Sequence, residues 1–244
     1  MRQAPDPIHG SVRRMEARSI MGGLPERLQG VTGRVAAAAR AAGRDPASVR
    51  LVAVSKTFAA DRVREAASAG QRDFGENYVQ EALDKIEALA DLPLTWHFIG
   101  PIQSNKTRAI AEHFDWVHSV DRLKIAERLS AQRPPDRPPL QVCLQVNVSG
   151  EATKSGVPPA EVASLARAVA QLPGLRLRGL MAIPEPTDDV TLQRARFRML
   201  RGLRDAAGVP LDTLSMGMSD DLESAIAEGA TIVRVGRAIF GERG

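Results

Sequence analysis

The chain has 244 residues, 43% of them hydrophobic and 25% charged, the proportions of a folded globular protein with ample chain for a core. Its net charge of +4 comes from basic residues interleaved with acids, and aromatics are only 4%, so neither the basic groove nor the stacking platforms of a nucleic-acid binder are expected. The one cysteine, Cys143, excludes an internal disulfide framework and suits a reducing, cytoplasmic setting, and no run approaches the roughly 20 apolar residues of a membrane span.

Residues 1–22 carry arginines but no continuous apolar stretch, so they read as a disordered extension and a poor secretory signal, with Met21 an alternative start. Residues 23–244 read as one domain. It opens on a segment of helical spacing, LPERLQGVTGRVAAAARAAG. Strand-like segments then follow: LVAVSK (51–56), DFGEN (73–77), TWHFIG (95–100), WVHSV (116–120), LQVCLQVNV (140–148), LRLRGLMAI (175–183), TLSM (213–216) and IVRVG (232–236). Between them lie helical segments such as AADRVREAASAG, VQEALDKIEALA and DVTLQRARFRMLRGLRDAAG. Strands alternating with helices imply right-handed βαβ units, and eight of them in this length predict a closed (β/α)8 barrel of TIM type with an extra N-terminal helix. The stretch RPPDRPPL is one loop before strand five and divides nothing.

In such a barrel the active site lies at the C-terminal ends of the strands. Alternation puts Lys56 on the face of Val52 and Val54, at the end of the first strand. In the fifth strand Gln141, Cys143, Gln145 and Asn147 share the more polar face, expected to point inward. Lys56, Asn77, Asn147 and Arg234 are thereby predicted to converge at one mouth. A partly desolvated lysine amine is a nucleophile for aldehydes. On position alone, a snorkelling or salt-bridged lysine remains an equal reading. The loops after strands seven and eight, SMGMSDD and VGRAIFG, are rich in small residues where this fold binds phosphate. There Ser219 offers a hydroxyl, Gly236 lets the backbone approach, and Arg237 begins the last turn; a plain helix N-cap is the competing reading of Ser219 and Asp220. An aldehyde-seeking lysine beside a phosphate cradle points to pyridoxal 5'-phosphate (PLP).

Two other chemistries are weaker. GPIQSNKT resembles a P-loop, but Asn105 stands where glycine is required before Lys106 and Thr107. His9, His97, His113 and His118 have no metal-ligand spacing with Cys143, so no metal is expected. Tyr78, the one tyrosine, is expected by parity to point away from the mouth and pack.

Taken together, VAVSKTF, FGENYVQEALDK, WHFIGPIQSNK, NVSGEATKSG, RGLMAIP, SMGMSDDLESAI and VRVGRAIFGER resemble the pyridoxal phosphate homeostasis protein family, the proline synthase co-transcribed homologues, over residues 24–243. The resemblance implies a barrel of the alanine racemase N-terminal type (PLP fold type III), with Lys56 as the Schiff-base lysine. It implies that Ser219, Gly236 and Arg237 hold the phosphate, that Arg234 faces the pyridine nitrogen, and that Asn77 and Met218 line the ring. Arg237 departs from the pattern, since many members have threonine or a small residue there, which removes a side-chain hydroxyl contact. The family has no established catalytic activity, which implies a carrier that keeps vitamin B6 and amino-acid pools in balance. The chain stops soon after strand eight, so the second domain and partner-borne tyrosine of a racemase are expected to be missing and the protein to be a monomer. A small PLP racemase or lyase is the alternative. Apo PLP-dependent enzymes are the expected recipients, and Lys154, in the loop after strand five, is expected to help move PLP without being needed to hold it.

Overall fold

The computed structural model describes residues 22–150 and 155–242. Within them, strands β1 (Arg50–Val54), β2 (Asp73–Glu76), β3 (Thr95–Phe98), β4 (Trp116–Val120), β5 (Leu140–Gln145), β6 (Leu175–Met181), β7 (Thr213–Ser215) and β8 (Ile232–Val235) form a closed parallel barrel in sequence order. Closure is made by β8 against β1, with Ile232, Val233, Arg234 and Val235 opposite Arg50, Leu51, Val52 and Ala53. The outer ring is α1 (Leu24–Ala41), α2 (Ala60–Ser68), α3 (Val79–Ala88), α4 (Thr107–His113), α5 (Leu123–Gln132), α6 (Val162–Val169), α7 (Val190–Asp205), α8 (Leu222–Ala227) and the short α9 (Arg237–Phe240).

Period-2 alternation splits the strands into two apolar layers, as expected for strands buried on both faces. Val52, Trp116, Cys143, Met181 and Ile232 cluster inside the barrel. Ala53, Phe74, Val117, Leu140, Val142, Leu144, Leu180, Leu214 and Val233 belong to the larger core beneath the helices. The fifth strand therefore turns the face predicted for it inward, and the buried Cys143 thiol is pushed up to about 12 by desolvation, which leaves it inert.

All eight predicted strands are present, but several end sooner than predicted. β1 stops at Val54, short of Lys56, because Thr57 adopts φ 70° and turns the chain out of the ladder. β5 stops at Gln145, and Asn147 Oδ1 accepts the Ser149 and Gly150 amides, closing a turn where more strand was expected. Tyr78 does not pack as expected. It sits at the strand-to-helix corner before α3, where no layer covers it, and is 56% exposed. In the P-loop lookalike, the Thr107 hydroxyl is taken up by the Ser104 carbonyl at 3.0 Å, within an ordinary helix start.

The extra helix α1 packs on α8 and α9 through Leu24, Leu28, Val31, Val35 and Ala39, spaced as one helical stripe. From its other positions Arg34 Nη2 donates to the Ser219 carbonyl at 3.0 Å, and Arg27 Nε to the Ile239 carbonyl at 2.8 Å. The helix thus braces the loops after β7 and β8 from behind. The expected disordered extension, up to residue 21, lies outside the described residues.

Candidate functional site

At the C-terminal ends of β1, β7 and β8 lies a cleft of about 440 Å³. Small-molecule sites typically occupy roughly 300–1,000 Å³. Lys56, Met218, Ser219, Arg234, Gly236 and Arg237 line it, together with Val54 and Phe58. Six of the predicted site residues therefore meet. Asn77 and Asn147 are not among the lining residues, although the Asn77 side-chain oxygen is buried without a hydrogen-bond partner. Lys154 lies outside the described residues.

Each lining residue is placed by its strand end. Arg234 is level with Val52 in the β1–β8 register, two inward positions below Lys56. Gly236 presses against β1: a β-carbon there would lie 3.1 Å from the Val54 carbonyl oxygen, a tight contact that glycine avoids where the backbone borders the cleft. The loop after β7 turns at Gly217, whose φ is 96° and where a β-carbon would meet that of Ala225 at 2.6 Å. Ser219 does not act as the N-cap of α8. The helix starts at Leu222, and Asp221 Oδ1 folds back to accept the Met218 amide at 2.6 Å. Arg237 forms an exposed pair with Asp220 at 3.0 Å on the rim.

Below the cleft the barrel interior holds a hydrogen-bonded chain that the metal-spacing argument passed over. Arg234 Nη1 donates to Ser215 Oγ at 2.6 Å and Nη2 to the Ala182 carbonyl at 3.0 Å. Ser215 Oγ is 2.7 Å from His118 Nδ1, His118 Nε2 is 2.9 Å from His97 Nδ1, and His97 Nε2 is 3.0 Å from Asp73 Oδ1. A carboxylate only accepts, so with both imidazoles neutral the direction is set from the Asp73 end. Arg234 gives to Ser215, Ser215 to His118 Nδ1, His118 Nε2–H to His97, and His97 Nε2–H to Asp73. Both imidazoles are neutral in this arrangement, because burial pulls both below the usual histidine range, His118 well below it. Burial also lowers Arg234 to about 10, which leaves it charged at neutral pH. The signal was present in the sequence: parity in β3 and β4 puts His97 and His118 on inward faces of neighbouring strands.

Among the described residues no group of three or more His, Cys, Asp or Glu side chains could hold a metal ion, and no helix is long and apolar enough to cross a membrane.

The model of the alanine racemase N-terminal domain family matches residues 28–244. The pyridoxal phosphate homeostasis protein of Pseudomonas aeruginosa is 67% identical over 223 residues, covering 91% of this chain and 97% of that protein. Among solved structures, PipY of Synechococcus elongatus PCC7942 with PLP bound is 41% identical with a TM-score of 0.78, over 90% of this chain and 100% of that one. Alanine racemase from Corynebacterium glutamicum, at 19% identity and a TM-score of 0.61 over 87% of this chain and 60% of that one, shares the fold.

Proposed function

Because the chain belongs to the pyridoxal phosphate homeostasis protein family, we propose that it binds PLP in the strand-end cleft and acts as a carrier and buffer of that cofactor. The observation that carries this reading is the meeting of one lysine, Lys56, with Ser219, Gly236, Arg237 and Arg234 around a single cleft. These residues suit the group. When bound, PLP supplies an electrophilic aldehyde that condenses with a neutral amine and releases water. Lys56 supplies the amine. The Ser219 hydroxyl and the backbone exposed at Gly236 and Arg237 hold the phosphate dianion, and α1 keeps the Ser219 carbonyl turned away through Arg34. Arg234, held from behind by Ser215 and Ala182, presents a donor-only group to the ring nitrogen. Such a partner keeps that nitrogen unprotonated and weakens the ring as an electron sink. The one tyrosine, Tyr78, is on the surface and not among the cleft residues, so it supplies no second acid or base opposite Lys56. These features favour holding the cofactor over turning over amino acids, with apo PLP-dependent enzymes as recipients.

The test is the visible spectrum and intact mass of the purified protein with PLP, before and after borohydride. One PLP per chain should be fixed by reduction, and neither enantiomer of any amino acid should be consumed. Fixation without stoichiometry would sink the site, and racemisation would sink the carrier reading.

The phosphate assignment has its own measurement. A hydroxyl bonded to a dianion contributes about 1.5–3 kcal/mol, so Ser219→Ala should weaken PLP roughly 10- to 100-fold. Unphosphorylated pyridoxal should be weakened far less. Equal losses for the two ligands would remove Ser219 from the phosphate.

A further inference from the structure

The motif FGENYVQEALDK contributes little to the cleft itself, yet it places three charged side chains against the strand end that carries Lys56. Lys85 on α3 is buried, and its ammonium has three donors and three acceptors: the Ser55 carbonyl at 2.8 Å, Glu76 Oε1 at 2.8 Å and Glu81 Oε1 at 2.5 Å. Ser55 Oγ also donates to Glu76 Oε1, at 2.6 Å. Glu81 Oε1 accepts the Thr57 amide at 2.6 Å. One cluster from β2 and α3 therefore holds the residue before Lys56 and the residue after it. It grips β1 from the helix side, the face of Ser55, while Lys56 stays on the cleft side.

The residue it holds is strained. Thr57, at φ 70°, has a positive φ that no other non-glycine among the described residues shares. For a β-branched side chain this is an outlier that persists only where its surroundings enforce it. Two contacts hold it there: Glu81 Oε1 accepts the Thr57 amide, and the Phe58 amide donates to the Ser55 carbonyl at 3.1 Å across the turn. Loss of the Glu81 contact would leave only the turn bond against the strain at Thr57.

We propose that Glu81 and Lys85 are positioning residues that hold the amine of Lys56 in the cleft by imposing the left-handed turn at Thr57. The inference rests on the reading of Lys56 as the PLP-bearing lysine.

The experiment compares wild-type, Glu81→Ala, Glu81→Gln, Thr57→Gly and Glu81→Ala/Thr57→Gly proteins. PLP is added at limiting concentration, trapped with borohydride at timed intervals, and quantified on the Lys56 peptide by mass spectrometry. In parallel, protein without PLP is methylated with formaldehyde and cyanoborohydride, and the rate at Lys56 is read on the same peptide. Glu81→Ala should slow PLP fixation about tenfold, the factor that corresponds to the strain of a non-glycine residue at positive φ. It should also change the methylation rate at Lys56. Glu81→Gln keeps an acceptor for the Thr57 amide and should behave as wild type. Glycine takes positive φ about as readily as negative, so Thr57→Gly should be near neutral alone and should recover most of the loss in the double variant. A cluster that only stabilised the barrel would lower the urea midpoint of Glu81→Ala and leave both rates at Lys56 unchanged. That result overturns the proposal, as does failure of Thr57→Gly to restore the double variant. Should wild-type protein take up no PLP at Lys56, the reading of the cleft falls, and the methylation rates alone decide the positioning role.

Discussion

Lys56→Ala protein should show no borohydride-fixed PLP and no visible absorbance from a lysine-bound cofactor, while retaining weak binding of PLP through its phosphate. The loss is expected to be complete, because the amine is the reacting atom and neighbouring side chains in the cleft offer no substitute: Met218, Ser219, Arg234 and Arg237 cannot condense with an aldehyde. The retained binding follows from the separation of roles. The loops after β7 and β8 are built on Gly217 and Gly236 and braced by α1, none of which depends on Lys56. Lys56→Arg sharpens the test. Arginine keeps the positive charge but stays protonated at any working pH, so it supplies charge without a nucleophile. If the lysine served as a counter-ion only, Lys56→Arg would bind PLP as wild type does. If it is the nucleophile, Lys56→Arg behaves as Lys56→Ala. Fixation of PLP in Lys56→Ala at undiminished rate would move the attachment to another lysine.

What the sequence reveals stops where the ladder stops. Eight apolar runs with period 2, separated by segments of period 3.6, were enough to predict the closed barrel and the inward face of β5. Face parity also brought Lys56 and Arg234 together, because both strands remain regular up to Val54 and Val235. It failed for Asn147, where the side chain ends the strand by capping its own turn and alternation no longer applies. For Tyr78 parity kept the ring off the cleft, and only the expected packing failed, since a corner residue belongs to neither layer. The Asp73–His97–His118–Ser215 chain was half visible. Two neighbouring strands placed the imidazoles together, but bringing Ser215 of β7 against His118 of β4 requires the barrel to close across its interior. Lys85 was not visible at all. Its spacing on α3 is that of an ordinary surface i,i+4 pair with Glu81, and only the docking of α3 beside β1 buries it.

That internal chain makes acid the condition under which this barrel should weaken most. In the unfolded chain His97 and His118 take up protons as pH falls through their ordinary value of 6.5. In the folded protein burial, reinforced for His118 by His97 and Arg234, keeps both neutral to lower pH; Asp73 opposes the shift at His97 without reversing it. Below 6.5 the unfolded state therefore binds more protons, and the free energy of unfolding falls with falling pH. The stabilisation is fully present above 6.5 and is lost by up to about 1.4 kcal/mol per pH unit for each histidine until its folded pKa is reached. Glu76 and Asp221, whose carboxyls burial raises above 4.5 and 3.8, act in the opposite sense as pH falls through their raised values. The histidine slope is accordingly read from urea midpoints between about pH 7.5 and 5.5. A His97→Gln/His118→Gln protein should be less stable at neutral pH but should show a flattened slope over that interval. The same burial keeps His118 neutral in the fold across this interval, so the donor order from Arg234 through Ser215 behind the cleft should not change within it. A wild-type urea midpoint that stays level across the interval would show that the imidazoles titrate alike in the folded and the unfolded chain, so that burial does not hold them neutral.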